Sequence, residues 1–236
     1  MSGPLAGQVA LVTGASRGIG AATAVELARR GAHLVITART EGGLAETDDA
    51  IRTTGAEATL LPLDLTAGES VDAIGPSLHQ RFGRLDILVS NAAALGLLTP
   101  VPHIRDAEWA AVVGVNLTAT LRLIRTCAPL LLAAPAGRAV FVTSGIVAAP
   151  AAYWGAYGAT KAALHHLVET WAAETRTSRL RVNLFDPGIV ATRLRAQAMP
   201  GEDPRGLRPP AAVAPALADL CGAEETRHGA VIRFAP

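Results

Sequence analysis

Short runs of β-branched and apolar residues alternate with helical stretches from one end of this chain to the other. Runs at 8–13 (QVALVT), 33–37 (HLVIT), 58–63, 85–89 (LDILV), 139–143 (AVFVT), 181–185 and 230–234 predict strands. Between them the apolar spacing predicts helices over 21–30, 44–54, 69–82, 106–134, 155–177 and 211–220. The 69–82 helix holds Gly75-Pro76 and is expected to break or start late there. Strand–helix–strand units join right-handed into a parallel sheet covered on both faces. Strands buried on both sides read as unbroken apolar runs, as these do. The expectation is an α/β fold, a three-layer doubly wound parallel sheet of about seven strands. No repeat, charge run or low-complexity block marks a second domain, so residues 1–236 are read as one domain. The proline-rich stretch 193–210 reads as a loop or lid over a site.

Charge narrows the possible partners. Twenty-one basic residues against 20 acidic leave +1, which argues against a nucleic-acid partner. The longest uncharged run, 139–160, contains Pro150, Gly145, Gly155 and Gly158 and reads as strand, loop and helix start, so no membrane span is expected. The opening M-S-G-P-L-A-G-Q has no basic n-region, and a cytoplasmic protein is expected. Cys127 and Cys221 read as buried thiols of a reduced compartment. His165 and His166 read as surface or interface residues; with no His-Glu-x-x-His or Cys-x-x-Cys, no metal is expected. Twenty of the 21 basic residues are arginine, and Lys161 is the single lysine. A lone lysine in an arginine-rich chain suggests a place where only a compact ammonium serves.

Three motifs carry chemistry. Thr13-Gly14-Ala15-Ser16-Arg17-Gly18-Ile19-Gly20 lies between the first strand and first helix. Gly14 permits a tight turn, Gly18 lets backbone approach a pyrophosphate, Gly20 lets helix pack on strand, and the helix N-terminus holds phosphates; this is the Rossmann-type arrangement. After the second strand, Ala38 stands where an NAD site carries an acid, and Arg39 with Arg17 could clamp a 2′-phosphate. Finally, Tyr157 and Lys161 are four apart and share a helix face, while Ser144 ends the fifth strand at the ligand-binding edge. A phenol with a pKa near 10 is a poor base at pH 7, and a neighbouring ammonium is expected to lower it.

Together these motifs resemble the short-chain dehydrogenase/reductase family in its compact one-domain branch. Leu63-Asp64-Leu65, Ser90-Asn91-Ala92-Ala93, Asn116, the thirteen-residue step from Ser144 to Tyr157, and Asp186-Pro187-Gly188-Ile189-Val190-Ala191-Thr192 add to the match, which runs over roughly residues 7–234. The resemblance implies a dinucleotide-binding and catalytic domain in which Tyr157 gives or takes the substrate proton. Lys161 would bind the nicotinamide ribose and lower the Tyr157 pKa, Ser144 would hydrogen-bond the reacting oxygen, and Asn116 would hold a water behind Lys161. Gly14, Ser16, Arg17, Gly18, Ile19, Gly20, Arg39, Asp64, Leu65, Asn91, Ala92, Pro187, Gly188, Ile189 and Thr192 would bind cofactor. The Arg17–Arg39 pattern favours NADP(H) over NAD(H). Ala93 stands where the family has glycine and is expected to narrow the pocket or shift its loop.

The implied activity is hydride transfer between NADP(H) and a carbonyl or secondary alcohol. Leu95, Leu97, Ile146, Val147, Trp154 and Met199 are expected to line an apolar substrate pocket. An epimerase or dehydratase of the longer branch would carry a larger C-terminal region. The alternative is a non-catalytic dinucleotide-binding sensor or scaffold; such proteins often lose the tyrosine or lysine, and here both are present. Apolar positions on the helices starting at Asp106 and Gly155 exceed what one sheet face covers, and the resemblance implies a homodimer or homotetramer.

Overall fold

The computed structural model describes residues 3–235. Met1, Ser2 and Pro236, part of the expected 1–236 span, lie outside the described residues. Seven parallel strands form one sheet: β1 (Val9–Thr13), β2 (His33–Ala38), β3 (Ala58–Pro62), β4 (Ile87–Ser90), β5 (Arg138–Val142), β6 (Arg181–Asp186) and β7 (Val231–Arg233). Their order is β3-β2-β1-β4-β5-β6-β7, so the winding reverses between β1 and β4. The doubly wound, Rossmann-type expectation holds, with strand ends within two residues of the expected ones. The helices are α1 (Gly18–Arg29), α2 (Glu41–Arg52), α3 (Gly68–Asp72), α4 (Ile74–Phe82), α5 (Asp106–Val113), α6 (Ala119–Ala133), α7 (Gly155–Glu174), α8 (Arg193–Ala198) and α9 (Pro210–Asp219).

Alternation along β1 shows how the layers are built. Val9 and Leu11 point into one core with Val71, Ile74 and Leu78 of α3–α4, Leu123 of α6 and Val168 of α7. Ala10 and Val12 point into the other, with Leu27 of α1, Ile51 of α2 and Leu217 of α9. Phe141 and Phe185 are fully buried, one in each core. Each such side chain contributes about 1.5–3 kcal/mol by leaving water. Phe141 also meets Trp171 edge-on at 6.1 Å.

Three expectations need correction. The predicted 69–82 helix does break, but at Ala73 rather than at Gly75-Pro76. Pro76 falls in the first turn of α4, where a missing N–H costs nothing. Gly75 stays because a Cβ there would meet the Thr126 carbonyl oxygen of α6. The predicted 106–134 helix is interrupted by a π turn over Gly114–Thr118. The 193–210 stretch, expected as a loop or lid, is not all loop: it contains α8, and residues 193–200 border the cleft. Thr192 Oγ1 accepts from Arg195 N (3.1 Å) and starts α8, Arg195 pairs with Glu202, and a bridge between Val190 and Arg208 closes the base of the segment.

Candidate active site

The carboxyl ends of β1 and β4 flank the point where the winding reverses, the place where open α/β sheets bind ligands. Asn91 staples them. Its Nδ2 donates to Thr13 O (3.0 Å) and Gly14 O (3.3 Å), while the backbone N–H groups of Asn91 and Ala92 donate to Thr13 Oγ1. Gly14 (φ +65°) passes so close that a Cβ would lie 2.8 Å from Ala92 Cα. At Gly20 a Cβ would come within 2.5 Å of Gly14 O. Gly20 is buried and lets α1 pack tightly against the turn after β1. The start of α1 has no side-chain cap and no acid in its first turn. Its free N–H groups open beside Ser16, Arg17, Gly18 and Ile19 into a cleft of about 1670 Å³. These features fit the pyrophosphate of a dinucleotide.

At one end of this cleft Arg17 and Arg39 are exposed, and neither forms a salt bridge among the described residues. Ala38 presents no competing carboxylate. Asp64 and Leu65 line the same end. Asp64 Oδ1 accepts from Thr66 N (2.9 Å) and Thr66 Oγ1 (2.8 Å). Those two bonds, with help from Arg39, hold its carboxyl below the usual range.

Ser144, Tyr157 and Lys161 meet at the other end. Ser144 follows β5 in extended conformation, and α7 carries Tyr157 and Lys161 one turn apart, both buried. Lys161 Nζ donates to Val142 O (2.8 Å) and stands 5.7 Å from the Tyr157 ring centre. Burial lowers the Lys161 ammonium to about 8. Burial also pushes the Tyr157 phenol up to about 12, against the opposing pull of Ser144. In the chain without cofactor, withdrawal from water sets the direction, and Ser144 pulls the other way.

Asn116 sits in the π turn, 1% exposed and behind the cleft wall. Its Oδ1 accepts from Ala94 N (2.7 Å), and its Nδ2 donates to Ala94 O (2.9 Å) and Thr160 Oγ1 (3.0 Å). Pro187, Gly188, Ile189 and Thr192 line the cleft opposite the glycine turn, with Thr192 Cγ2 3.6 Å from where a Gly18 Cβ would stand.

The residue range 8–203 matches the family model for short chain dehydrogenases. The chain belongs to the short chain dehydrogenase family. It is 36% identical to the uncharacterized oxidoreductase YciK of Escherichia coli over 93% of this chain and 88% of that one. It is 33% identical to the benzil reductase ((S)-benzoin forming) of Saccharomyces cerevisiae, over 87% of this chain and 80% of that one. A solved short chain dehydrogenase of Shigella flexneri complexed with NADP superposes with a TM-score of 0.93 at 34% identity, covering 99% of both chains.

Within this member of the family, Leu95, Leu97, Ile146, Trp154 and Met199 line the cleft, as expected of substrate contacts. Val147 does not. It follows Ile146 in a 3₁₀ turn, Gly145–Val147, where successive side chains point about 120° apart, so Ile146 takes the cleft side. Ala93 lines the cleft without left-handed strain, so its methyl costs the backbone nothing. Tyr153 is the one non-glycine residue with positive φ (76°) among those described, and this turn presents Trp154 edge-on to Tyr157 at 5.8 Å. His165 is half-buried, and its ring shares a hydrogen bond with Thr143 Oγ1. Asp186 and Arg233 also line the cleft and were not anticipated as site residues.

Cys127 and Cys221 are free and buried. No helix among the described residues is long and apolar enough to cross a membrane, and none of their His, Cys, Asp or Glu groups could hold a metal.

Proposed function

We propose that the chain is an NADP(H)-dependent carbonyl reductase, or in reverse an alcohol dehydrogenase, acting on apolar or aromatic-bearing ketones and secondary alcohols. The observation that carries this is one cleft with Ser144, Tyr157 and Lys161 at one end and, at the other, two guanidiniums free of carboxylate partners among the described residues. The nicotinamide, when bound, supplies or takes up the hydride. The glycine turn and the start of α1 hold the pyrophosphate, and Arg17 and Arg39 clamp a 2′-phosphate bidentately. Asp64 and Leu65 border the adenine, Asn91 and Ala92 support the middle of the cofactor, and Pro187, Gly188, Ile189 and Thr192 its nicotinamide side.

Ser144 orients the substrate oxygen, and Tyr157 delivers the proton from its hydroxyl. A phenol held near 12 is fully protonated at pH 7, which suits donation to a carbonyl. Lys161, anchored on Val142 O, points its ammonium at the ribose and the phenol; Asn116 fixes the helix turn behind it. The apolar wall of Leu95, Ile146, Trp154 and Met199 supports a substrate with aromatic or aliphatic bulk, in keeping with the yeast relative being a benzil reductase. Two free buried thiols suit the cytoplasm.

The deciding experiment follows NADPH absorbance while the purified protein meets benzil, other aryl ketones and aliphatic ketones. Reduction of at least one aryl ketone, faster with NADPH than NADH, is expected. NADPH binding with no reduction across the panel would favour the sensor reading. A shallow apolar groove of about 580 Å³ between the π turn and α7, with Leu117, Leu121 and Leu167 in its wall, supports two-fold assembly through these helices. Light scattering is expected to give a dimer or tetramer mass.

A further inference from the structure

Asp186 closes β6, and its register partner is Arg233 of β7. Its side chain is 5% exposed, that of Arg233 66%. Oδ2 accepts from Arg233 Nε (3.1 Å) and Oδ1 from Gly188 N (3.0 Å), the latter fixing the left-handed turn at Gly188. On the other side, the β5–β6 ladder runs on to Thr143, whose N–H donates to Phe185 O. A Cβ on Gly145 would stand 3.4 Å from Asp186 Oδ2. The carboxylate therefore lies against the Ser144-Gly145 backbone, on the wall that Ser144 and Tyr157 share.

Two other ionisable groups lie near this spot and hold hydrogen bonds of their own, and His165 also feels the Asp186 charge. On α7, Lys161 gives Nζ to Val142 O, and His165 bonds Thr143. Among the described residues Arg233 alone forms a salt bridge with Asp186, and it does so mostly in water. We propose that Asp186, held by Arg233, is a positioning residue that sets how readily the Tyr157 hydroxyl parts with its proton. The proposal rests on the reductase reading above. A buried carboxylate resists a second negative charge beside it, so it favours the neutral phenol; Arg233 offsets that in part. The direction agrees with the contribution of Asp186 to the raised Tyr157 pKa, which is secondary to burial. The pair thereby shifts the pH at which the proton-donating and proton-accepting forms of Tyr157 exchange.

The chain has two tyrosines, so ¹³Cζ-tyrosine labelling yields two NMR signals, and Tyr153→Phe assigns them. NADP binding is first measured by fluorescence quenching, and the Tyr157 signal is then titrated in the NADP complex. Asp186→Asn keeps the Gly188 bond and removes the charge; its midpoint is expected to fall by about 0.5–1 pH unit. Arg233→Met leaves the buried carboxylate uncompensated; its midpoint is expected to rise by a few tenths, less because Arg233 is solvated. The double variant should fall between the two. A purely structural role predicts no such opposite signs. A midpoint in Asp186→Asn within about 0.2 units of the parent, or above it, overturns the proposal. Failure to bind NADP overturns the reductase reading instead, and the same comparison is then run on the free protein, where the effect of Asp186 on the phenol remains measurable.

Discussion

Replacing Lys161 by methionine should make the fold more stable at neutral pH while abolishing function. The ammonium is buried, and burial moves it from 10.5 to about 8. At about 1.4 kcal/mol per pH unit, keeping it charged at pH 7 costs the folded state on the order of 3 kcal/mol. Methionine fills nearly the same volume without the charge. It also strands the Val142 carbonyl, now 2.8 Å from Nζ, a loss of about 1–2 kcal/mol. The net expectation at pH 7 is a gain of about 1–2 kcal/mol. Between about pH 8 and 10.5 the unfolded chain holds this proton more tightly than the folded one, so parent stability rises with pH through that window. The variant lacks that rise. Its advantage should shrink above pH 8 and reverse near pH 10, where only the lost hydrogen bond remains. Urea unfolding followed by tryptophan fluorescence at pH 7, 8, 9 and 10, with constant m-values, reads this directly. A variant less stable than the parent by one constant amount at every pH would refute the reasoning.

Three further outcomes are expected. Tyr157→Phe removes only a hydroxyl, so turnover on a verified ketone should fall about 10³-fold while NADPH affinity in a fluorescence titration stays within error. Arg17→Ala with Arg39→Ala should weaken NADPH by at least about tenfold, near 1.4 kcal/mol, and leave NADH unchanged; equal losses for both cofactors would remove the 2′-phosphate assignment. At Tyr153, exposed and at φ 76°, glycine should be tolerated, whereas valine should cost about 1–2 kcal/mol in thermal unfolding, since a β-branched side chain fits left-handed backbone poorly.

What the sequence makes legible follows from how local the signal is. The seven strands and the turn from Thr13 to Gly20 could be read because each depends on neighbours within a few residues. Ser144, Tyr157 and Lys161 could be placed because strand and helix periodicity put them at one edge. The Asp186–Arg233 pair could not, because its partners are 47 positions apart and meet only through the β6–β7 register. Prolines at 200, 204, 209 and 210 masked α8, although Thr192 is an ordinary cap for the helix-forming residues behind it. The burial that raises the Tyr157 phenol is likewise not legible in chain order, which shows the lysine but not the depth of the ring.

The π turn at Gly114–Thr118 makes the chain intolerant of length changes at that point. An extra residue in a regular helix swings everything beyond it by about 100°, and the π turn takes that residue up locally so that the flanking helices keep their phase. Deleting Val115 would relax the turn to an ordinary α-helix and draw Asn116 off the widened turn that now carries it. The Asn116 carboxamide could not then reach both Thr160 and the Ala94 peptide, to which it is now joined by three hydrogen bonds. A drifting lineage could lengthen or trim the exposed loop ahead of α5 with little effect on Lys161. A single-codon loss at Val115 would reach the lysine through Thr160, its immediate neighbour in sequence.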